Sequence, residues 1–427
     1  MTKTKKHLLK NNIDIVISVI TMLLFCASMT LAARSSGTFD RVFDLWVLMC
    51  IIYGAAMTAA DRKHIDKSVL VFAVLFFVTR LISYRLNGVS VTYGGTIMIQ
   101  LFYLVGVCRS VFGGKPQIRA ALYAFQAFDF LAVLICYYNY YFRREYAEKL
   151  FEELYSKGIT VQTTVFQNPN FAGMMTGAAV IIGCALIVND RFRKKTVLLM
   201  TPVIILSAYM LFIDTGCRSA QTGIIIIALM TAGLAIFKRI DSVKRLVGGF
   251  LVVCFITLIP LYVLVYWNDN EDYLSDVSPM EMQLEAVSSD RYSIWKTTIL
   301  STEGHELFGY GNISTAWKKR KELVNNNPME RTAEVYIRSI DQKRQHNGYL
   351  ALLNEAGVTG TVCMLLLLLC RVRKLKGRFR DGQWEKLLLP YIFWLNLFEA
   401  KFIIHVFFTG LLMMILLLPP DEETSEK

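Results

Sequence analysis

Long apolar runs separated by charged segments limit most strongly how this chain can fold. A helix needs about 20 mostly apolar residues to cross the hydrocarbon core of a membrane. Runs of this kind lie near 13–33, 42–60, 68–84, 94–112, 119–140, 170–188, 196–213, 220–237, 246–266 and 348–370. A last stretch, 387–420, is too long for one span and is interrupted at Glu399, so we divide it into two short helices. The sequence therefore predicts an all-α polytopic membrane protein with about 12 transmembrane helices.

Composition excludes the usual soluble classes of protein. Apolar residues make up 54% of the 427 residues and charged residues 19%, with a formal net charge of +12. A soluble domain carries about 25% charged residues, and a nucleic-acid-binding protein gathers its basic residues on one face or arm. Here the basic residues recur in loop after loop. A soluble enzyme, a disordered scaffold and a nucleic-acid-binding protein are therefore excluded, and we expect no nucleic-acid partner.

The Lys and Arg residues of the short loops predict the orientation, because cytoplasmic loops carry an excess of both. With the N-terminus inside, the short cytoplasmic loops are 61–67, 113–119, 189–195, 238–245 and 371–386. The net positive charge is thus mostly a consequence of membrane topology. For the most basic stretch, 371–380, binding of anionic lipid or phosphate is the alternative interpretation.

This orientation divides the chain into three parts. Spans one to nine occupy 1–266, a large extracytoplasmic loop occupies 267–346, and spans ten to twelve with a cytoplasmic tail occupy 347–427. A loop that long is usually functional. Ser278-Pro279 is a helix-start signal, and Tyr292 and Trp295 begin a helical pattern. We expect two or three short helices of this loop to lie on the outer membrane surface.

Charged residues at membrane depth are costly and therefore informative. Four of them lie inside or at the ends of predicted spans: Arg80, Asp129, Glu355 and Glu399. Each could pair with a residue of another helix, line a polar cavity or only reach the membrane interface.

Short polar motifs gather on the predicted outer side. They are Asn168-Pro169-Asn170 before span six, Asp214 to Ser219 between spans seven and eight, Asp290 to Trp295 in the large loop, Gln345 to Leu350 entering span ten, and Glu355-Ala356-Gly357 about two turns further on. The planar guanidinium of arginine binds phosphate oxygens bidentately. Histidine can take a proton from a hydroxyl near neutral pH. Together Arg218, Arg291 and His346 are suited to chemistry on a phosphate-containing substrate.

Each motif also has an ordinary structural interpretation. A loop arginine is most often a solvated charge or a phospholipid contact. Asn168 could cap span six and Asn347 could cap span ten, since Asn is a good N-cap residue. Asn170 could also cap the start of span six. Glu355 could be a cavity-lining partner for an arginine.

The order of these motifs resembles that of a known family. Asn168-Pro169-Asn170 comes first, Arg218 follows in a short outer turn, and the large loop holds Arg291 with Trp295, Gly309-Tyr310-Gly311 and His346-Asn347. This order resembles the O-antigen ligase and polysaccharide polymerase superfamily, which comprises bacterial membrane glycosyltransferases with a GT-C type of architecture. The resemblance covers roughly 165–370 and is most specific between Arg291 and His346.

The resemblance implies a reaction. Such enzymes take a glycan from undecaprenyl diphosphate at the outer face of the bacterial cytoplasmic membrane and pass it to an acceptor hydroxyl, without a metal or other cofactor. Carried over, Arg218 and Arg291 would hold the departing diphosphate, and His346 would orient or deprotonate the acceptor so that the anomeric carbon inverts. The substrate-binding candidates are Asn168, Asn170, Trp295, Asn347 and Glu355. The acceptor would be a growing repeat unit of a capsular, exopolysaccharide or O-antigen chain, or in a ligase a lipid or protein.

Other functions fit the sequence less well. A transporter or flippase of lipid-linked glycans tends to show repeated halves with broken helices, and no such duplication is evident. A purely structural or sensory membrane protein leaves the loop 267–346 without a purpose. The acidic run Asp269 to Asp272 suggests a metal site, but such runs are more often solvated surface, and we expect no metal.

Overall fold

The apolar runs form helices throughout. A computed structural model describes residues 3–60, 66–90, 100–102, 104–106, 114–152, 161, 164–236, 242–267, 274, 277–288, 290–327, 333–379, 382–399 and 408–417. Within these residues there is no strand, only two isolated bridges. The expected all-α polytopic membrane fold is confirmed.

Eighteen α-helices are numbered here in chain order within the described residues. The N-terminal part holds α1 Lys3–Ala27, α2 Leu31–Arg34, α3 Gly37–Ala60, α4 Lys67–Leu86, α5 Lys115–Phe142, α6 Arg144–Glu152, α7 Pro169–Asn189, α8 Lys194–Tyr209, α9 Arg218–Ile236, α10 Val243–Ile256 and α11 Leu258–Trp267. The remainder holds α12 Pro279–Ser288, α13 Tyr292–Leu300, α14 Ile313–Asn326, α15 Glu334–Ser339, α16 Gly348–Lys374, α17 Leu388–Leu395 and α18 Phe408–Leu417.

Seven of the described helical segments are long and apolar enough to cross a membrane. They are Gly37–Ala60, Lys67–Leu86, Lys115–Phe142, Pro169–Asn189, Lys194–Asp214, Val243–Tyr266 and Gly348–Lys374, with shorter apolar helices at Asn12–Ala27 and Arg218–Leu234. These nine match nine of the predicted runs. The predicted run 94–112 lies largely outside the described residues, and the stretch 387–420 contains α17 and α18. The predicted total of 12 is not confirmed.

Helix α7 lies at the centre of the bundle. It is the most buried of the spans, because its small residues let neighbouring helices approach closely. A Cβ at Gly177 would collide with the hydroxyl of Tyr391 in α17, and one at Gly173 would collide with Cys217. The start of α7 is thereby held close to α17 and to the turn that precedes α9.

One end of the bundle, here called the basic end, is joined by contacts between loops. The contacts are the Lys374–Asp66 ion pair at 3.2 Å, the hydrogen bond from Asn189 Nδ2 to Glu385 Oε2 at 2.6 Å, and the backbone bridge between Ser242 and Arg378. All six residues belong to loops predicted to be cytoplasmic. Loops that were assigned to one side from their charge alone therefore meet in space.

At the opposite end, α16 is broken at Gly357 and a turn of the large loop fills the break. Gly357 adopts φ 67° and ψ −175°, a conformation open essentially to glycine alone. The N–H groups of Val358 and Thr359 donate to the carbonyls of Glu306 (2.7 Å) and Leu307 (3.2 Å). The hydrogen bonds that the break removes from α16 are thus replaced by bonds from outside it, as a broken helix at membrane depth requires.

Buried Arg80 of α4 binds the same turn. Its Nη2 donates to the Gly311 carbonyl at 2.6 Å and lies 3.7 Å from Glu355 Oε2. The Gly311 N–H in turn donates to the Glu355 carbonyl at 2.9 Å. Two of the charges that the sequence places at membrane depth therefore meet each other across the turn.

Helices α12 to α15 form a small layer with its own core. Buried Lys296 donates to Glu281 Oε1 at 2.7 Å and to Tyr336 Oη at 3.0 Å. Buried Arg320 donates to the Gln342 carbonyl and to Thr298 Oγ1, which connects α13 to the segment leading to His346. Burial lowers the pKa of Arg320 to about 10, so the guanidinium stays protonated at neutral pH.

Candidate functional site

A buried carboxylate, Glu399, joins three of the polar motifs at the end opposite the basic end, here called the motif end. Glu399 is only 3% exposed. Glu399 Oε1 accepts hydrogen bonds from Asn170 Nδ2 at 2.6 Å and from Arg291 Nη2 at 3.0 Å. The second oxygen, Oε2, lies 3.7 Å from His346 Nδ1, which is too long for a hydrogen bond. Residues from α7, the large loop and the segment after α17 thus meet at one carboxylate.

Arg291 directly precedes α13, and both outer nitrogens of its guanidinium contact the segment after α17. Nη1 donates to the Phe398 carbonyl at 2.6 Å, while Nη2 bonds Glu399. Its own N–H donates to Ser288 Oγ at 3.2 Å, and the preceding residue, Asp290, has a left-handed φ of 59°. The side chain is 16% exposed.

His346 stands immediately before α16 in a strained conformation. Its φ is 50°, a region that residues other than glycine seldom adopt. The flanking backbone holds it there, because Asn347 Oδ1 caps the helix by accepting from the N–H groups of Tyr349 and Leu350, each at 3.0 Å. Its side chain is 23% exposed, and its buried Nδ1 has no hydrogen-bond partner among the described residues. Such strain is characteristic of functional positions.

Arg218 is the first residue of α9 and follows an irregular turn. A π-helical turn, Met210–Asp214, ends α8, and Gly216 then adopts φ 58°. Buried Cys217 places its thiol 3.9 Å from the Asn170 carbonyl, and burial raises the pKa of that thiol. The Arg218 backbone is therefore adjacent to the Glu399 group. Its side chain is exposed and has no hydrogen bond or ion pair with any described residue.

The other predicted substrate residues divide into two sets. Asn168 caps α7 by accepting from the Phe171 N–H at 2.9 Å, and Asn170 binds Glu399. Trp295 lies one turn after Arg291 in α13, half-buried, with an indole N–H that lacks a partner among the described residues. Glu355 is separate from this group, since it faces Arg80 instead of Arg291. Its place in a substrate site stays a prediction.

Sequence reasoning missed Glu399 as a member of the site. The available signal was its position as a charged residue interrupting the apolar stretch 387–420. Its partners could not be inferred, because Asn170 and Arg291 are 229 and 108 positions away along the chain. Asn170 was expected at a helix end and is found there, but its side chain binds the carboxylate rather than capping the helix.

A metal site was also considered. Among the described residues no group of three or more His, Cys, Asp or Glu side chains is placed to hold a metal ion. The acidic run Asp269 to Asp272 lies outside the described residues.

Comparison with known proteins points to one family. Residues 202–365 match a family model described as O-antigen ligase, and the match confirms the resemblance found in the motifs. The matched segment contains Arg218, Arg291 and His346, whereas Asn170 and Glu399 lie outside it. No curated protein matches the chain.

Proposed function

We propose that the protein transfers a glycan from undecaprenyl diphosphate to an acceptor hydroxyl, because residues 202–365 match the O-antigen ligase family model. We propose further that it polymerises the repeat unit of a capsular polysaccharide, an exopolysaccharide or an O-antigen. The observation that carries this proposal is the meeting of Arg291 and His346 at Glu399. A phosphate-binding side chain and a proton acceptor are thereby held at one partly exposed site.

The reaction breaks the bond between the anomeric carbon and the diphosphate oxygen, and the diphosphate leaves with the electron pair. Negative charge gathers on that oxygen in the transition state. Arg291 and Arg218 would stabilise it, and preorganised donors at such positions contribute about 10²–10³ in rate each. Partial exposure of Arg291 and the exposed side chain of Arg218 suit this role.

The acceptor hydroxyl forms the new bond to the anomeric carbon from the opposite side, which inverts that centre. Its proton passes to the imidazole of His346 and from there to water. Nδ1 faces Glu399, so Nε2, on the far side of the ring, is the nitrogen available to the acceptor. Half-buried Trp295, one turn from Arg291, is the proposed contact for a sugar ring.

The proposed location is the outer face of the bacterial cytoplasmic membrane. The loops at the basic end are rich in Lys and Arg, which favours the cytoplasmic side for that end. The motif end then faces outward, where the lipid-linked donor and the acceptor glycan or lipid would be reached from the membrane surface.

The test is to incubate the purified protein with an undecaprenyl-diphosphate oligosaccharide in excess chelator and to separate the products on a gel. A ladder of products supports polymerisation without a metal. A single shifted acceptor band would show that the protein is a ligase and not a polymerase. A donor that is consumed only after divalent cation is added back would contradict metal independence. An unchanged donor under both conditions would contradict the transferase and favour transport.

A further inference from the structure

We infer that Glu399 is a positioning residue that occupies Arg291 until the donor binds and then orients His346. The inference rests on the proposed function, because it assumes a diphosphate at Arg291 and a base at His346. It assigns a role to a residue outside the matched family segment, 202–365, which the motifs did not identify.

The Glu399 carboxylate occupies the position at Arg291 that an anion would need. Arg291 Nη2 donates to Glu399 Oε1 at 3.0 Å and Nη1 donates to the Phe398 carbonyl at 2.6 Å. Carboxylate and phosphate oxygens compete for the same planar donors of a guanidinium. A diphosphate that approaches Arg291 must therefore displace the Glu399 oxygen from Nη2.

The second oxygen of the carboxylate is already directed at the histidine. Oε2 lies 3.7 Å from His346 Nδ1, roughly 0.5–1 Å beyond hydrogen-bond distance. Nδ1 is buried and has no partner among the described residues, a costly state for a polar atom. A general base is commonly held in position by a third group that bonds its other nitrogen. Glu399 is in place for that role but does not yet perform it.

Asn170 anchors one oxygen of the Glu399 carboxylate while the other oxygen turns towards His346. Its Nδ2 donates to Glu399 Oε1 at 2.6 Å, and its backbone is held at the first turn of α7 by the Asn168 cap. When Arg291 transfers its hydrogen bond to a diphosphate, Asn170 still holds Oε1. A small rotation about that contact brings Oε2 to Nδ1.

The charges favour replacement of the Glu399 carboxylate by a diphosphate at Arg291. A diphosphate brings at least two negative charges to Arg291 and exposed Arg218, whereas the carboxylate brings one. The Glu399 side chain is 4% exposed, and its Oε2 lies 3.7 Å from His346 Nδ1, which has no hydrogen-bond partner among the described residues. Donor binding and activation of the acceptor are thereby coupled, and the base is oriented only when a leaving group is present.

The test is Glu399→Gln, which keeps the size of the side chain and the bond from Asn170 but removes the charge. Inorganic diphosphate should bind this variant about tenfold more tightly, because its competitor for Arg291 is weakened. Turnover at saturating donor should fall by roughly 10² or more, since the base loses its orienting group. Calorimetry in excess chelator measures the first effect and the gel assay the second. Tighter binding combined with slower turnover is not expected of a merely structural side chain.

Glu322→Gln is the matched control, because Glu322 is an exposed residue of α14 that pairs with Lys319. It should change neither quantity. Weaker diphosphate binding in Glu399→Gln, or turnover equal to that of the parent protein, would overturn the inference. If the parent protein transfers no glycan, the proposed function fails, but the binding measurement still tests the exchange at Arg291.

A second variant keeps the test decisive if Glu399→Gln does not fold. Coupling between sites is reciprocal, so removing the imidazole that receives the carboxylate should weaken diphosphate binding. We expect His346→Ala to raise the dissociation constant of inorganic diphosphate about threefold. An unchanged dissociation constant in His346→Ala would contradict the exchange.

Discussion

The role of Arg291 depends on the shape of its side chain as much as on its charge. Two nitrogens of one planar group donate to two different acceptors, the Phe398 carbonyl and Glu399 Oε1. A lysine ammonium carries the same charge but presents it as a single point on a flexible chain. Similarly, His346 depends on where the backbone holds it, because its left-handed conformation is imposed by the neighbouring cap and not by its own preference.

Arg291→Lys should reduce kcat/KM for the donor about 100-fold, because one ammonium cannot hold the Phe398 carbonyl and a diphosphate together. The gel assay with varied donor concentration measures the change. Arg338→Lys is the control, since Arg338 is an exposed residue of α15 paired with Glu334. A kcat/KM unchanged in Arg291→Lys would assign Arg291 to a surface role.

His346→Ala should abolish transfer, a loss of about 10²–10⁴ in turnover, while the protein still inserts into the membrane and binds donor. Turnover and thermal unfolding of the purified variant are measured together. His305→Ala is the control, because His305 belongs to the same loop and stacks on Tyr310 at 4.3 Å between ring centroids. Full activity in His346→Ala would remove it from the mechanism.

At the scale of elements, the decisive feature is a helix built in two parts. The first half of α16 begins at the Asn347 cap, next to His346. The break at Gly357 receives the Phe308 to Gly311 turn, and Arg80 binds that turn from α4. The position of His346 therefore depends on a close approach of two backbones. Only a residue without a Cβ permits that approach, since a Cβ at Gly357 would collide with the carbonyl of Leu307.

Gly357→Ala should lower the free energy of unfolding by about 3 kcal/mol, from backbone strain and from the collision with Leu307. It should reduce turnover as well, because the half-helix that follows His346 must shift. Thermal unfolding in detergent and the gel assay measure the two effects. Gly249→Ala is the control, as a Cβ there meets nothing within 4 Å in α10. Equal stability of the two variants would show that the break tolerates a side chain.

At the scale of the whole molecule, the two ends of the bundle differ in kind. Loops rich in Lys and Arg meet at the basic end, and the motifs that meet at Glu399 define the other. The loops were grouped from charge alone and the motifs from residue type alone, so their separation in space is an independent result. The motifs proposed to bind substrate and the basic loops that signal topology occupy opposite ends of the same helices.

Cysteine labelling tests the proposed orientation. Glu322→Cys in α14 and Arg373→Cys near the end of α16 place exposed thiols on the two sides of the bundle. A membrane-impermeant maleimide should label Glu322→Cys in intact cells and Arg373→Cys only after permeabilisation, by the excess of basic residues in cytoplasmic loops. The parent protein gives the background from its own cysteines. The reverse pattern would place the proposed site in the cytoplasm.

The sequence by itself determined the fold class, nine of the apolar helices, seven of which are long enough to cross a membrane, and the motifs that resemble the family. Span length and loop charge are local properties, and the bilayer selects for them directly. The positions of Arg218, Arg291 and His346 in the family motifs could likewise be read along the chain.

Only the tertiary structure decided which side chains meet. Glu399 joins Asn170, Arg291 and His346, and Arg80 faces Glu355 across the turn that fills the break in α16. These residues come from helices and loops far apart in the chain. Their pairing depends on how the helices pack and on where glycine allows two backbones to touch, and neither is encoded in the hydropathy of a single segment.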